Sequence, residues 1–334
     1  MADFDLFNGD ADGICALLQL RFAEPREGAE LVTGVKRDIN LLKRVDAKAG
    51  DRITVLDISM DKNHDDLIRV LDAGAEVFYV DHHFPGKVPD SSALKSMINE
   101  APDVCTSLLI NHYLRGAYPE WAVVGTFGDN LKKSAAGLMK NLNFSEQQAT
   151  LLENLGIYIN YNGYGSDLNE LHFKPDELYS LLSNYQSPFD FVSDNAVQFD
   201  KLETGYHQDL TSAQSTEPLK ATDSVAVFVL PNASWARRVS GVYSNDLTNQ
   251  NPDRAHAVLT EKANGNYLVS VRAPLNNKKG AAALCMQFPT GGGREAAAGI
   301  NDLPADMLNE FIDKFEQSYT AKNLYHFLSA PLFI

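Results

Sequence analysis

The stretch "DFDLFNGDADGICALLQLRF", residues 3–22, decides the reading of the chain. An apolar run, DFDLF, stops at a glycine-bounded turn that carries Asp10 and Asp12, and the helix-like ICALLQLRF follows at once. Strand, tight turn and helix in immediate succession open an α/β layered fold. Short acids between glycines also make an ordinary Asx-type turn, so GDADG alone does not separate turn from site.

The same alternation continues through "ELVTGV" (30–35), "ITVLD" (53–57), "KNHDDLIRVLDAG" (62–74) and "EVFYVD" (76–81). These strand-like runs are too uniformly apolar to have one wet face, which predicts a parallel sheet with helices on both faces. From residue 103 the pattern is helical, in "DVCTSLLINHYLRG", "EWAVVGTFGDNLKKSAAGLMK" and "SEQQATLLENLGIYIN". Between about 187 and 220 it turns polar and irregular, which predicts an interdomain connection. A second set follows: strands in "SVAVFVL", "AHAVLTEK" and "NYLVSVRA", and helices in "SWARRVSGVYSNDL", "GAAALCMQF" and "ADMLNEFIDKFEQSY". The expected organisation is a catalytic α/β domain over 1–190, a linker over 191–220 and a smaller mixed α/β domain over 221–334. The catalytic cleft is expected between the domains.

The totals exclude several classes of function. A formal net charge of −15 over 334 residues leaves no basic stripe for a long nucleic acid, whose phosphates must be neutralised along a track. The apolar runs are too short to span a bilayer, and the acidic start MADFDLFNGD is unlike a secretory signal. The expectations are a cytoplasmic protein, no membrane partner and no long nucleic acid; a homodimer is compatible with the sequence. Cys15, Cys105 and Cys285 are odd in number and form no CxxC pair, so reduced buried thiols are expected.

Open α/β sheets bind ligands at the carboxyl ends of their strands. That rim carries Asp10 and Asp12 after the first strand, Asp57 at the end of ITVLD, and Asp81, His82 and His83 at the end of EVFYVDHH. Asp129, in "VVGTFGDN", adds a fifth carboxylate from a helix end. Each fragment alone has a plain structural explanation; their joint occurrence at successive strand ends does not. Five converging acids repel unless cations offset them. Two divalent ions do so, and oxygen donors with imidazole and no thiolate suit Mn²⁺ or Mg²⁺ better than structural zinc. Metals about 3.5–4 Å apart clamp both oxygens of a phosphoryl displacement, so the rim points to a phosphoester hydrolase.

GDADG, Asp57 in VLDIS, the literal DHH at 81–83 and Asp129 in GTFGD resemble the four motifs of the DHH phosphoesterase superfamily. "TGGGREAAAGI" (290–300) resembles the glycine-rich signature of the DHH-associated domain of single-strand exonucleases, nano-RNases and cyclic-dinucleotide phosphodiesterases. The resemblance covers nearly the whole chain. It implies that Asp57 bridges two metals, that Asp10 holds the first, and that Asp12, His82 and Asp129 hold the second. Asp81 and His83 then orient ligands and steady charge at the scissile phosphate. The first motif departs from its relatives: nano-RNases carry histidine where this chain has Leu6, and exonucleases carry an acid where it has Asn8. A weaker first metal site is the expected consequence.

In the C-terminal signature, Gly291, Gly292 and Gly293 are expected to form a loop whose backbone approaches a ligand closely and turns N–H groups toward an anion. Arg294, where the family has histidine, and Arg272, after YLVSV, are the expected anion-gripping side chains. Arg237 and Arg238 are weaker candidates, Trp235 is expected in the core, and "YNGYGSD" (161–167) reads as a base-stacking lid or an ordinary interhelical loop. The expected substrate is a linear dinucleotide or very short oligonucleotide, with pGpG cleaved to GMP as the specific choice. Rival expectations are a broad nano-RNase, a phosphatase for 3′-phosphoadenosine 5′-phosphate, a single-strand exonuclease, a pyrophosphatase and, outside the enzymes, a dinucleotide sensor.

Overall fold

The computed structural model describes residues 1–328 of the chain, and the side chains of residues 1–320. The chain divides into two compact units, 1–205 and 206 onward.

In the first unit, β1 (Asp3–Phe7), α1 (Ala11–Ala23), β2 (Glu30–Val32), β3 (Arg52–Leu56), α2 (His64–Asp72), β4 (Glu76–Asp81) and β5 (Leu94–Ile98) build a five-stranded sheet. Its order is β2-β1-β3-β4-β5 and every pairing is parallel. Successive residues of β1 point to opposite faces. Phe4 and Leu6 join Ile53, Val55, Val77 and Tyr79 in a core with Leu67 and Val70 of α2. Phe7 joins Leu56 and Val80 in the other core, with α1 and the helices that follow. Asp5, on that second face, is buried in a two-pronged ion pair with Arg21 of α1, at 2.6 and 2.7 Å.

The helical part comprises α3 (Thr106–Tyr113), α4 (Pro119–Gly128), α5 (Lys132–Met139), α6 (Glu146–Asn162), α7 (Pro175–Leu182), α8 (Pro188–Asp194) and α9 (Ala196–Gln214). The segment expected to be an irregular connection is therefore largely helical, and the division between units falls inside α9. Its buried positions, Leu202, Gly205, Asp209 and Ala213, keep a helical spacing of three or four residues within a polar sequence. β5 also escapes the apolar-run criterion, because it reads LKSMI and its Lys95 and Ser96 are exposed at the sheet edge.

The second unit contains β6 (Lys220–Ala221), β7 (Val225–Leu230), α10 (Ser234–Gln250), β8 (Ala255–Glu261), β9 (Tyr267–Arg272), α11 (Ala281–Cys285), β10 (Gly291–Gly293), β11 (Ala297–Leu303) and α12 (Leu308–Leu328). Its mixed sheet has the order β10-β11-β9-β8-β7-β6, with β7 and β8 parallel and the other pairs antiparallel. The glycine-rich segment, expected as a loop, is a hairpin: Gly291, Gly292 and Gly293 pair with Ile300, Gly299 and Ala298. All three cysteines are buried and reduced. Trp235 is only partly buried and lies outside the core clusters, contrary to expectation. Among the described residues no helix is long and apolar enough to cross a membrane.

Candidate active site

β1 pairs with β2 on one side and β3 on the other, so the chain reverses its direction of travel across the sheet at β1. In open α/β sheets such a switch point leaves a crevice beyond the carboxyl ends of the strands. Asp10 and Asp12 leave β1 there, Asp57 leaves β3, and Asp81 ends β4 with His82 and His83 behind it. Asp129 reaches the same place from the C-terminal cap of α4, where the following Asn130 turns the chain with φ 58°.

The turn at GDADG owes its glycines to close packing, not to unusual dihedrals: neither Gly9 nor Gly13 has positive φ. A Cβ on Gly13 would lie 2.3 Å from the Asn8 carbonyl oxygen, and one on Gly9 would lie 2.0 Å from that of Gly34. Asp10 caps α1 by accepting the Gly13 N–H at 3.1 Å. Asp12 accepts the N–H groups of Thr106 and Ser107 at 2.7 Å each, so its two oxygens cap α3. Asp57 has φ 60°, left-handed backbone that a non-glycine residue adopts at a cost, and its N–H is tied to the Val80 carbonyl.

His82 is held in one tautomer. Its Nδ1 donates to the Val104 carbonyl at 2.8 Å, which turns Nε2 toward the acids. That Nε2 lies 3.3 Å from Asp57, 3.9 Å from Asp12 and 4.0 Å from Asp129. His83 Nδ1 donates to Asp81 at 2.7 Å. Asp57, His82 and His83 offer ligand atoms that all lie within 4.8 Å of one another.

Burial pushes the Asp57 carboxyl well above the usual carboxylate range, and the charges of Asp12 and Asp10 push it further. Asp12 is raised mainly by burial, with Asp129 and Asp10 adding to it against the attraction of His82. Burial also opposes ionisation of Asp81, but the charge and hydrogen bond of His83 outweigh it and hold that carboxyl below its ordinary value. Oδ2 of Asp129 and Oδ2 of Asp81 are buried without a hydrogen-bond partner. Mutually repelling acids, orphaned carboxylate oxygens and an imidazole aimed at them by its tautomer fit a divalent-cation site.

The sequence reading overlooked the segment that enters α3. Val104, Thr106 and Ser107 hold His82 and Asp12, and the Thr106 hydroxyl donates to Asp57 at 3.2 Å. The hydroxyl pair in VCTSLL at a helix start was the available signal. YNGYGSD, by contrast, forms no open lid: Tyr161 is fully buried against His172 and Tyr164 is 9% exposed.

In the second unit Arg272 pairs across the sheet with Ala297, and Arg294 and Ala297 close the β10–β11 turn by mutual backbone hydrogen bonds. The two arginines thus stand at one end of the sheet. Arg294 is exposed; Arg272 Nε donates to Asn245 at 2.8 Å. Gly293 has φ 134°, and a Cβ on Gly291 would lie 1.8 Å from the Cys285 carbonyl oxygen, whereas one on Gly292 would meet nothing within 4 Å. Arg238 is ion-paired with Asp209 at 2.9 Å and Arg237 donates to Asn232.

The fold is shared with solved structures, among them these three. One is an exonuclease RecJ bound to manganese, at TM-score 0.56 and 17% identity over 95% of this chain and 89% of that one. The second is PggH, a pGpG-specific phosphodiesterase of Vibrio cholerae, at TM-score 0.53 and 14% identity over 96% and 99%. The third is an exopolyphosphatase-related protein of Bacteroides fragilis, at TM-score 0.52 and 15% identity over 95% and 92%. No protein-family model and no curated protein matches the sequence.

Proposed function

We propose that the protein is a cytoplasmic metal-dependent phosphodiesterase that hydrolyses linear dinucleotides or very short oligonucleotides, with pGpG to GMP as the specific reaction. The observation that carries the hydrolase reading is the tautomer-fixed His82 facing Asp57, Asp12 and Asp129, beside carboxylate oxygens with no other partner. In this reading Asp10, Asp12, Asp57, His82 and Asp129 hold two divalent cations, Mn²⁺ in preference to Mg²⁺. His83 is in ligand range as well. Bound there, the cations supply the charge that steadies a phosphate and make a water nucleophile more acidic.

The chain's own groups set the conditions for that chemistry. Val104 fixes the His82 tautomer, Thr106 and Ser107 hold Asp12 and Asp57 in place, and Asp81 keeps the His83 ring oriented. Arg294 and Arg272, with the outward edge of Gly291–Gly293, are proposed to grip the rest of the substrate. An arginine forks onto a phosphate or a guanine edge and keeps its charge at any working pH. The preference for short substrates is supported by the net charge of −15, which disfavours a polyanion track. The shared fold of a pGpG-specific enzyme supports the choice of dinucleotide.

The test is a product analysis with purified protein and Mn²⁺ on pGpG, pApA, longer oligonucleotides, cyclic dinucleotides and 3′-phosphoadenosine 5′-phosphate. Dinucleotides should be turned over at least tenfold faster than chains of ten nucleotides, and Arg294→Ala should raise KM more than it lowers kcat. Equal turnover of long and short chains contradicts the substrate reading. Turnover of none, with metal bound, favours the sensor.

A further inference from the structure

The strand-end rim carries a cation that no sequence motif accounts for. Lys36 lies in GVKRD (34–38), four residues past the end of β2, the neighbour of β1. Its Nζ is ion-paired with Asp10 Oδ2 and donates to Asn160 Oδ1 of α6 at 3.0 Å. The ammonium stands 5.3 Å from the centre of the Tyr164 ring, and the Lys36 backbone N–H donates to the Gly163 carbonyl at 2.8 Å. The side chain is 22% exposed. Contacts from the N-cap of α1, from α6 and from the turn after α6 thus fix both ends of this residue, which is unlike a surface lysine.

Asp10 is committed by these contacts. One oxygen caps α1 and the other carries Lys36. At the two positions where the first motif departs from its relatives, Leu6 is fully buried in the hydrophobic core, and Asn8 donates its amide to the Lys36 carbonyl at 3.4 Å while its Oδ1 is buried without a hydrogen-bond partner. Around His82 the buried Oδ2 of Asp129 has no hydrogen-bond partner and lies 4.0 Å from the His82 Nε2.

We propose that the Lys36 ammonium is a tethered counter-ion that takes the place of a divalent cation on Asp10, so that metal binds first around Asp57 and His82 and a second metal at Asp10 must displace Lys36. The proposal rests on the metal-site reading above. It gives the weak first metal site a cause within the chain: the competing charge is covalently attached, is present at high local concentration, and breaking its buried pair exposes an unpaired ammonium.

The experiment is a Mn²⁺ titration of the full chain followed by the electron paramagnetic resonance signal of free Mn²⁺, for wild type, Lys36→Gln and Lys36→Arg. Wild type should bind one ion, with a second at least tenfold weaker. Lys36→Gln should tighten the weaker site at least tenfold, and Lys36→Arg should leave it weak. Should Lys36→Gln fold poorly without metal, its melting temperature should rise more with Mn²⁺ than that of wild type. Two equal sites in wild type, an unchanged weak site in Lys36→Gln, or a tightened site in Lys36→Arg each overturn the proposal. Binding of no Mn²⁺ by any of the three overturns the metal-site reading itself.

Discussion

Asp57 is both strained and crowded: its backbone is left-handed at φ 60° and its carboxyl is buried beside Asp10 and Asp12. Asn tolerates that backbone and carries no charge. The metal-free Asp57→Asn protein should therefore be more stable than wild type by about 1–2 kcal/mol, and calorimetry should show that Mn²⁺ no longer raises its melting temperature. A metal-free variant less stable than wild type would contradict the repulsion argument. His256 gives a separate, pH-dependent contribution. It is 1% exposed in β8, and burial, with Arg254 nearby, pulls its pKa to about 4. The unfolded chain takes up that proton near pH 6.5, so this contribution is complete above 6.5 and is lost as pH falls toward 4, by up to about 3 kcal/mol. His256→Gln should flatten the dependence of urea unfolding on pH in that window, and an unchanged slope would remove His256 as its cause. At this scale the sequence showed the acids and the DHH triplet, because they follow strands directly. It hid Lys36, which lies past a short strand among ordinary polar residues and becomes notable only once α6 folds beside it.

Elements were legible where burial was uniform. β1, β3, β4, β7, β8 and β9 are apolar runs, and α1 starts at an acid that caps it. β5 and α9 were missed because each shows the solvent mostly polar side chains, so that the signal lies in a few buried positions. The glycine-rich hairpin was read as a loop because glycine carries no strand propensity; close packing against Cys285 and Ala298, visible only in three dimensions, is what selects it. Gly291→Ala should accordingly cost about 1–3 kcal/mol, while Gly292→Ala, with open space at its Cβ, should stay within about 0.5 kcal/mol of wild type. Thermal melts of the two variants compare them directly; equal losses would mean that the hairpin's glycines serve no packing role.

For the whole molecule, the five acids of the rim belong to a chain that is acidic throughout, and an acidic protein handles an anionic substrate only where local positive charge is supplied. Lys36, Arg272, Arg294 and bound cations are the sources in this account. Substrate identity is the least legible property, since the motifs name a phosphate-handling site and no base, and the proposed preference for short ligands rests on charge. A metal-dependent phosphodiesterase site at the strand-end cluster has a direct consequence for the hydrolysis of pGpG in metal-stripped protein, in the same protein after Mn²⁺ is restored, and in Asp57→Asn with Mn²⁺. GMP should form only from the restored wild type, with the other two at least a hundredfold slower; equal rates in all three would rule the site out.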